Sequence, residues 1–223
     1  MKQSIVTINS IEFVTHDVLE IHTEKPEGYN FTSGQATTVS INKPDWKGKK
    51  NPFTFTCLPT DSYLEFTIKT YPSHKNVTNE LLKLVPNDTL ILHEAFGAIQ
   101  YKGEGVFIAG GAGVTPFISI FRDLQLKKKI GNNRLIFANK KKEDIILEAE
   151  FNDLLGAQFI NILSDEEVQG YAHGRITSDF IQKNCGGIDQ YFYLCGPPAM
   201  MKAIEQQLLD LHVDKASIIK EVF

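Results

Sequence analysis

Gly105-Val106-Phe107-Ile108-Ala109-Gly110-Gly111-Ala112-Gly113-Val114-Thr115-Pro116-Phe117 is the stretch whose reading decides the fold. It begins as an apolar run of strand type and passes through three glycines in four positions. It restarts at Thr115-Pro116 with helix signals, since Thr is a favoured N-cap and Pro loses no hydrogen bond in the first helical turn. A buried strand that feeds a glycine turn and a fresh helix N-terminus is a way for α/β proteins to hold anions, because free N–H groups and the helix dipole face the ligand together. Residues 1–103 read as a different kind of structure, and residues 104–223 as the rest of a nucleotide-binding sheet.

The remaining composition narrows the class. With 223 residues the chain has room for two domains, and a net charge of −4 gives no reason to expect nucleic-acid binding. No run approaches the roughly 20 apolar residues of a membrane helix. Met1-Lys2-Gln3-Ser4-Ile5-Val6 lacks a signal-like apolar core, so the expected location is the cytoplasm, away from membranes. Cys57, Cys185 and Cys195 are too few and too scattered for a disulfide framework or a four-thiolate cluster. His16, His22, His74, His93, His173 and His212 show no ligand spacing, so no metal site is expected.

The first part predicts short strands between turn signals: 4–8, 11–14, 18–23, 37–41, 52–56, 64–69 and 89–93, with one helix over 78–84. That pattern suits a barrel or sandwich. From Gly105 the rhythm becomes strand, helix, strand. An amphipathic helix is predicted from Pro116 to about Lys128. Strands follow at 134–138, 158–163, 190–195 and 217–223, and helices at 145–155, from Ser178, and at 198–211. Such alternation makes a parallel sheet covered on both faces.

Gly196-Pro197-Pro198, after Cys195, repeats the opening logic of strand, glycine turn and proline-led helix. Either turn alone reads equally as a tight connection. Two in one small parallel sheet point to a ligand gripped at the strands' carboxyl ends. The strict dinucleotide fingerprint is absent: Pro116 stands where a third glycine belongs, and Asn139-Lys140-Lys141-Lys142 replaces the acidic residue expected about 20 positions on.

Phe107 to Pro116, followed some way on by Tyr193-Leu194-Cys195-Gly196-Pro197-Pro198, resembles the ferredoxin–NADP reductase family. Pro52-Phe53-Thr54, Gly34-Gln35, Asn76-Val77-Thr78 and terminal Glu221-Val222-Phe223 fit the same family in order along the chain. The resemblance implies an N-terminal antiparallel β-barrel that binds FAD and a C-terminal α/β domain that binds NADPH or NADH. It places Phe53 along the isoalloxazine, with an apolar aromatic face, and the Thr54 hydroxyl near the flavin nitrogen that accepts hydride. It assigns Asn51, Pro52, Lys69 and Tyr71 to the flavin as well, Tyr71 on the adenine side. Asn76, Val77 and Thr78 open a helix suited to the pyrophosphate; the family usually has glycine at position 76, and Asn tolerates the same left-handed backbone. Phe223 covers the other flavin face.

For the nicotinamide nucleotide the resemblance implies Gly110, Gly111, Gly113, Val114, Thr115, Pro116, Cys195, Gly196 and Pro197. Cys195 and Glu221 act near the reacting rings as orienting and electrostatic groups. Without the resemblance, Cys195 at a strand end reads as a packed small hydrophobe. Lys140, Ser164 and Arg175 lie where an adenosine 2′-phosphate is met, whereas Asp165 would repel that phosphate, so NADH and NADPH both stay open. One departure is Asn51, where the family has an arginine that pairs with pyrophosphate in two-pronged fashion. Lys49 or Lys50 substitutes in part, or both are solvated loop charges. The implied activity is electron transfer from NAD(P)H through FAD to a separate small redox protein, flavodoxin or ferredoxin. A reductase of free flavin, quinone or ferric complexes, an electron-transfer subunit and a flavin-free binding module are the alternatives.

Overall fold

The computed structural model describes residues 3–71, 76–97 and 99–220. The chain forms two compact units, one of residues 1–98 and 115–123 and the other of residues 99–114 and 124–223.

The first unit contains β1 (Ser4–Thr15), β2 (Val18–Glu24), β3 (Ala36–Ile41), β4 (Asn51–Thr54), β5 (Tyr63–Lys69), the short helix α1 (Val77–Leu81) and β6 (Thr89–Phe96). The strands lie in the order β4-β3-β6-β1-β2-β5, every pair antiparallel. Phe55, just past β4, bridges Phe66 on β5, which joins the two ends of that order and closes a barrel. Closure rests on that one bridge, so among the described strands the outer edge of β4 has no ladder of its own. Period-two patterning sets the inside: Leu19 and Ile21 on β2 and Leu64, Phe66 and Ile68 on β5 are buried in one core. The alternate residues Glu20, His22, Glu65 and Thr67 therefore share the opposite face.

The sequence predicts two strands where β1 runs unbroken for 12 residues. Ser4–Thr7 pair with β6 and Ile8–Thr15 with β2, and the register shifts between Ile8 and Ser10. A bulge there takes up Asn9 and Ser10, which otherwise read as a turn, and re-aims one strand from one neighbour to the other.

The second unit takes up the chain at β7 (Gly105–Gly110). After it come α2 (Thr115–Leu126), β8 (Arg134–Asn139), α3 (Glu148–Leu155), β9 (Phe159–Leu163), β10 (Ala172–His173), α4 (Ser178–Cys185), β11 (Tyr191–Cys195), α5 (Pro198–Asp210) and β12 (Ile218–Lys220). Of α2, residues 115–123 belong to the first unit. The sheet order is β10-β9-β8-β7-β11-β12, parallel throughout. From β7 the chain moves to β8 on one side and returns to β11 on the other, so a topological switch point lies at β7 and β11.

Three local expectations change. Helix α2 is predicted to be amphipathic, but Val114 through Phe121 are all buried, so its first two turns are covered on every side. Helix α3 starts at Glu148 instead of Ile145: Ile145 and Ile146 are buried ahead of it, and Leu147 turns the chain in the left-handed region at φ 53°. Strand β10 has two residues, too short for any periodicity to announce it.

Tyr193 shows how the parallel sheet is fastened at its amino edge. The side chain is fully buried, stacked 4.2 Å from the Phe107 ring. Its hydroxyl accepts from the Lys102 and Gly103 N–H groups at 2.9 and 3.1 Å and donates to the Gly103 carbonyl at 2.8 Å. Tyr193→Phe keeps the packing and strands those three backbone groups. We expect a loss of about 2 kcal/mol, read by thermal melting as a midpoint roughly 5 °C lower. An unchanged midpoint rejects this role for the hydroxyl.

Candidate functional site

The carboxyl edge of the parallel sheet gathers most of the residues implied for the nucleotide. Ala109 on β7 is paired with Cys195 on β11, so the two glycine turns leave the sheet side by side. A Cβ added at Gly113 would lie 2.3 Å from the Cys195 carbonyl oxygen, and one added at Gly110 would lie 2.6 Å from Met200 Sδ. Glycine is required at Gly113, where backbone of the other turn fills that space, whereas at Gly110 the space is taken by the Met200 side chain of α5 and by Pro197. Gly196 closes the contact from its own side, where an added Cβ would meet the Gly110 nitrogen at 3.0 Å.

The first turn is itself helical. Gly111–Val114 form a 3-10 turn with Gly111 at φ 51°, running into α2 without interruption. The first helical N–H groups are therefore presented by Gly111–Gly113 rather than by a fresh start capped at Thr115. Val114, Thr115 and Pro116 are buried, so this segment offers its glycine backbone to solvent, not those side chains. Pro197 is the N-cap of α5, Pro198 its first residue, and Cys195 and Gly196 are half-buried.

Lys140, Ser164 and Arg175 follow β8, β9 and β10, at the same carboxyl edge. The Ser164 and Asp165 N–H groups donate to the Asn139 and Lys140 carbonyls at 3.0 and 2.9 Å, and Ser164 Oγ donates to Asp165 Oδ1 at 2.6 Å. Lys140 and Arg175 are exposed. Among their neighbours, Lys141 faces Glu143 at 3.4 Å, and the Lys142 N–H donates to Glu166 at 2.8 Å. Asn139, named in the sequence only within the run that replaces the expected acid, was given no binding role there. It is only 8% exposed, and neither its carboxamide nitrogen nor its oxygen has a hydrogen-bond partner among the described residues. A carboxamide at the end of an otherwise apolar strand was the available signal.

In the barrel, Asn51, Pro52, Phe53 and Thr54 make up β4. Asn51, Phe53 and Thr54 are half-buried and Pro52 is exposed. Among the described strands β4 pairs only with β3, and Phe55 makes the bridge to β5, so the second backbone edge of β4 is open to a ligand. Tyr71 is 42% exposed beyond the end of β5. Lys69 Nζ is 2.8 Å from Asp17 Oδ2, so its charge is paired within the barrel.

Asn76 does not use the left-handed backbone that its replacement of glycine suggested. It is extended, at φ −131°, and caps α1: its Oδ1 accepts from the Asn79 N–H and from the Thr78 hydroxyl. Asn can do this because its side chain supplies the acceptor a helix N-terminus lacks. Val77 and Thr78 are buried. Lys49 Nζ sits 3.9 Å from the centre of the Trp46 ring, a cation–π contact, which leaves Lys50 as the exposed candidate beside Asn51. His93 is a second residue the sequence reading left unused. It is buried, its Nε2 has no hydrogen-bond partner among the described residues, and burial, then the Lys50 charge, hold its pKa down. Glu221 and Phe223 lie outside the described residues.

An antiparallel barrel followed by a parallel sheet with paired glycine corners defines a two-unit flavin and nicotinamide nucleotide protein. An FAD-binding domain model matches residues 3–129, and an oxidoreductase NAD-binding domain model matches residues 107–206. The chain belongs to the FAD-binding domain family and carries an oxidoreductase NAD-binding domain after it. NADH-cytochrome b5 reductase 2 of Mycosarcoma maydis is 29% identical over 89% of the chain, which spans 63% of that relative's length. The reductase component, ferredoxin–NAD(P)(+), of the Pseudomonas putida naphthalene 1,2-dioxygenase system is 25% identical over 97% of the chain and 68% of its own length. The flavohem-like FAD/NAD binding domain of nitric oxide dioxygenase from Vibrio cholerae has the same fold, with TM-score 0.87, 21% identity and 98% coverage of both chains. A ferredoxin NADP+ reductase from Neisseria gonorrhoeae, solved with FAD and NADP, gives TM-score 0.83 at 19% identity, covering 99% of this chain and 98% of its own.

The residues present fit both groups. The open edge of β4 beside half-buried Phe53 and Thr54 suits a flat heterocycle with polar margins. The glycine backbone at 110–113 and the unpartnered Asn139 carboxamide suit a nucleotide at the sheet edge.

Proposed function

We propose that the chain is an NADH-dependent flavoenzyme that delivers electrons through FAD to a separate small redox protein, a ferredoxin, flavodoxin or cytochrome b5. The observation that carries this reading is the match of FAD-binding and NAD-binding models, in that order, on one chain whose glycine corners face each other at the switch point. Bound NADH supplies a hydride, and bound FAD passes its electrons on singly. The chain's own part is positional. Phe53 and Thr54 on β4 hold the flavin, Gly110–Gly113 and Cys195–Pro197 hold the nicotinamide nucleotide, and Cys195 orients. The resemblance adds Glu221 and Phe223 to this set.

NADH is preferred over NADPH because Asp165 stands two residues beyond β9, where its carboxylate repels a 2′-phosphate. Its N–H donates to the Lys140 carbonyl and its carboxylate accepts from the Ser164 hydroxyl, which hold the residue at the carboxyl edge of the sheet. A carboxylate can instead accept a hydrogen bond from a ribose 2′-hydroxyl. The named relative from Mycosarcoma maydis is an NADH enzyme by its description. Anaerobic titration tests the activity: yellow protein bleached by NADH supports it, and colourless protein that takes up no FAD favours the flavin-free module that Asn51 suggested. Asp165→Ser should lower the NADH-to-NADPH ratio of kcat/KM by about tenfold, the size of one unit charge removed near a partly solvated phosphate. An unchanged ratio rejects Asp165 as the selector.

A further inference from the structure

Strand β10 covers only part of the sheet edge it lies on. It pairs with Ile162 and Leu163 of β9, whereas β8 pairs with β9 from Phe159 onward. The chain turns at Gly170, whose φ is 90°, two residues before β10 begins. Beside the first half of β9 lies a cavity of about 430 Å³, walled by α3, α4 and the segment from Gly170 to Ala172. That volume falls within the range of small binding sites, roughly 300–1,000 Å³. We propose that this cavity binds an extended peptide segment of a partner protein, bearing an acidic side chain, which adds to the open edge of β9 as a short strand.

The edge offers a matched acceptor and donor. The Gly174 N–H donates to the Leu163 carbonyl at 2.8 Å, and the Ser164 N–H donates to the Asn139 carbonyl at 3.0 Å. Leu163 therefore turns its backbone groups towards β10, and Ser164 turns its own towards β8. Alternation along the strand sends the backbone groups of Asn161 and Phe159 outward with those of Leu163. The Phe159 N–H is already donated to the Gly156 carbonyl. The Phe159 carbonyl and the Asn161 N–H have no strand opposite them among the described residues. One peptide residue in line with β10 donates to the first and accepts from the second, as in any parallel ladder. Unpaired strand edges are templates for such addition.

The walls select the occupant. Phe159 and Phe180 give the cavity apolar sides against which a peptide's side chains pack. Tyr171 closes one end and is held in place: its hydroxyl donates to Glu148 Oε1, and the Lys142 ammonium lies 5.3 Å from its ring centre. A wall fixed in advance lowers the ordering cost of binding. The Glu148 carboxylate is engaged by that hydroxyl, whereas Lys183, on α4, is exposed and has no ion-pair partner among the described residues. Charge complementarity therefore calls for an acidic side chain on the peptide. Asn161 adds a second signal, since its Oδ1 is buried with no hydrogen-bond partner among the described residues. Buried acceptors in folded proteins are normally met by a donor. The slot lies at the start of β9, at the other end of the strand from Ser164 and the nucleotide residues.

The test uses the full chain loaded with FAD. The probe is a fluorescein-labelled positional library of capped hexapeptides, read by fluorescence anisotropy. Saturable binders should be enriched in Asp or Glu. Lys183→Glu, on an exposed side chain, should weaken the best binder by about tenfold or more while keeping the melting temperature and the FAD content. N-methylation of the central amide of that peptide should weaken it by a similar factor. Amide exchange followed by NMR should show the Asn161 N–H slowed when the peptide is present. No saturable binding at millimolar peptide overturns the proposal. So does enrichment in Lys or Arg, binding that survives Lys183→Glu or leaves Asn161 exchange unchanged, or sedimentation showing that the slot is filled by a second copy of the chain.

Discussion

Gly113→Ala is expected to disable the nucleotide half of the molecule while leaving the barrel folded. The new Cβ would fall 2.3 Å from the Cys195 carbonyl oxygen, 2.5 Å from its carbon and 2.6 Å from the Gly196 Cα. All three are backbone atoms, and they belong to a strand end held by its pairing with β7. No rotamer change relieves the clash, so the two turns must part by roughly 1 Å, which exceeds what close-packed interiors absorb without strain. Overpacking of this kind costs about 3 kcal/mol or somewhat more. Since the turns that part are those proposed to hold the nicotinamide nucleotide, NADH affinity should fall by at least about tenfold, while FAD stays bound. Gly111→Ala is the control. Its added Cβ meets nothing within 4 Å, so only the left-handed φ of 51° is penalised, by roughly 1–2 kcal/mol. Melting curves and NADH titrations of the two variants separate crowding from backbone strain. Equal behaviour of the two rejects the account of Gly113.

Removing the Arg122 guanidinium is the second change with a large expected effect. Arg122 Nη1 reaches the Thr56 carbonyl at 2.9 Å and Glu65 Oε1 at 2.6 Å, and the Glu65 side chain is 5% exposed. Arg122→Ala leaves a buried carboxylate without its counter-charge, a loss of about 3–5 kcal/mol. Arg122→Leu combined with Glu65→Leu removes both charges and should be far less destabilising than the sum of the single changes. A denaturant-unfolding cycle measures the coupling. Additive single effects would show that the ion pair contributes little.

How much of this was legible follows from what each feature depends on. The run from Gly105 to Pro116 was readable because apolar strand, glycine turn and helix signals are local and agree with one another. The same holds for Cys195-Gly196-Pro197. Their mutual contact follows from strand order, which two similar turns can suggest but not fix. Leu147 in the left-handed region and two-residue β10 were not readable, since neither has a propensity signal. Asn76 was read for its tolerance of left-handed backbone and instead serves as a cap; both properties belong to the same short carboxamide, and only the coordinates separate them. The buried first turns of α2 were missed because an amphipathic helix was the default for a sheet-covering element. The meeting of His22 with Glu65 left no trace along the chain, because it follows from the β2–β5 register.

The assignment of residues 115–123 to the same unit as residues 1–98 bears on how the chain matures. During synthesis the six strands of the barrel emerge before the segment that bears Arg122, and β7 is made in between. Until that segment arrives, the nascent barrel holds the Glu65 carboxylate without its guanidinium. Completion of the earlier unit thus waits on translation well into the later one, and no single scission of the polypeptide releases the two units as intact pieces.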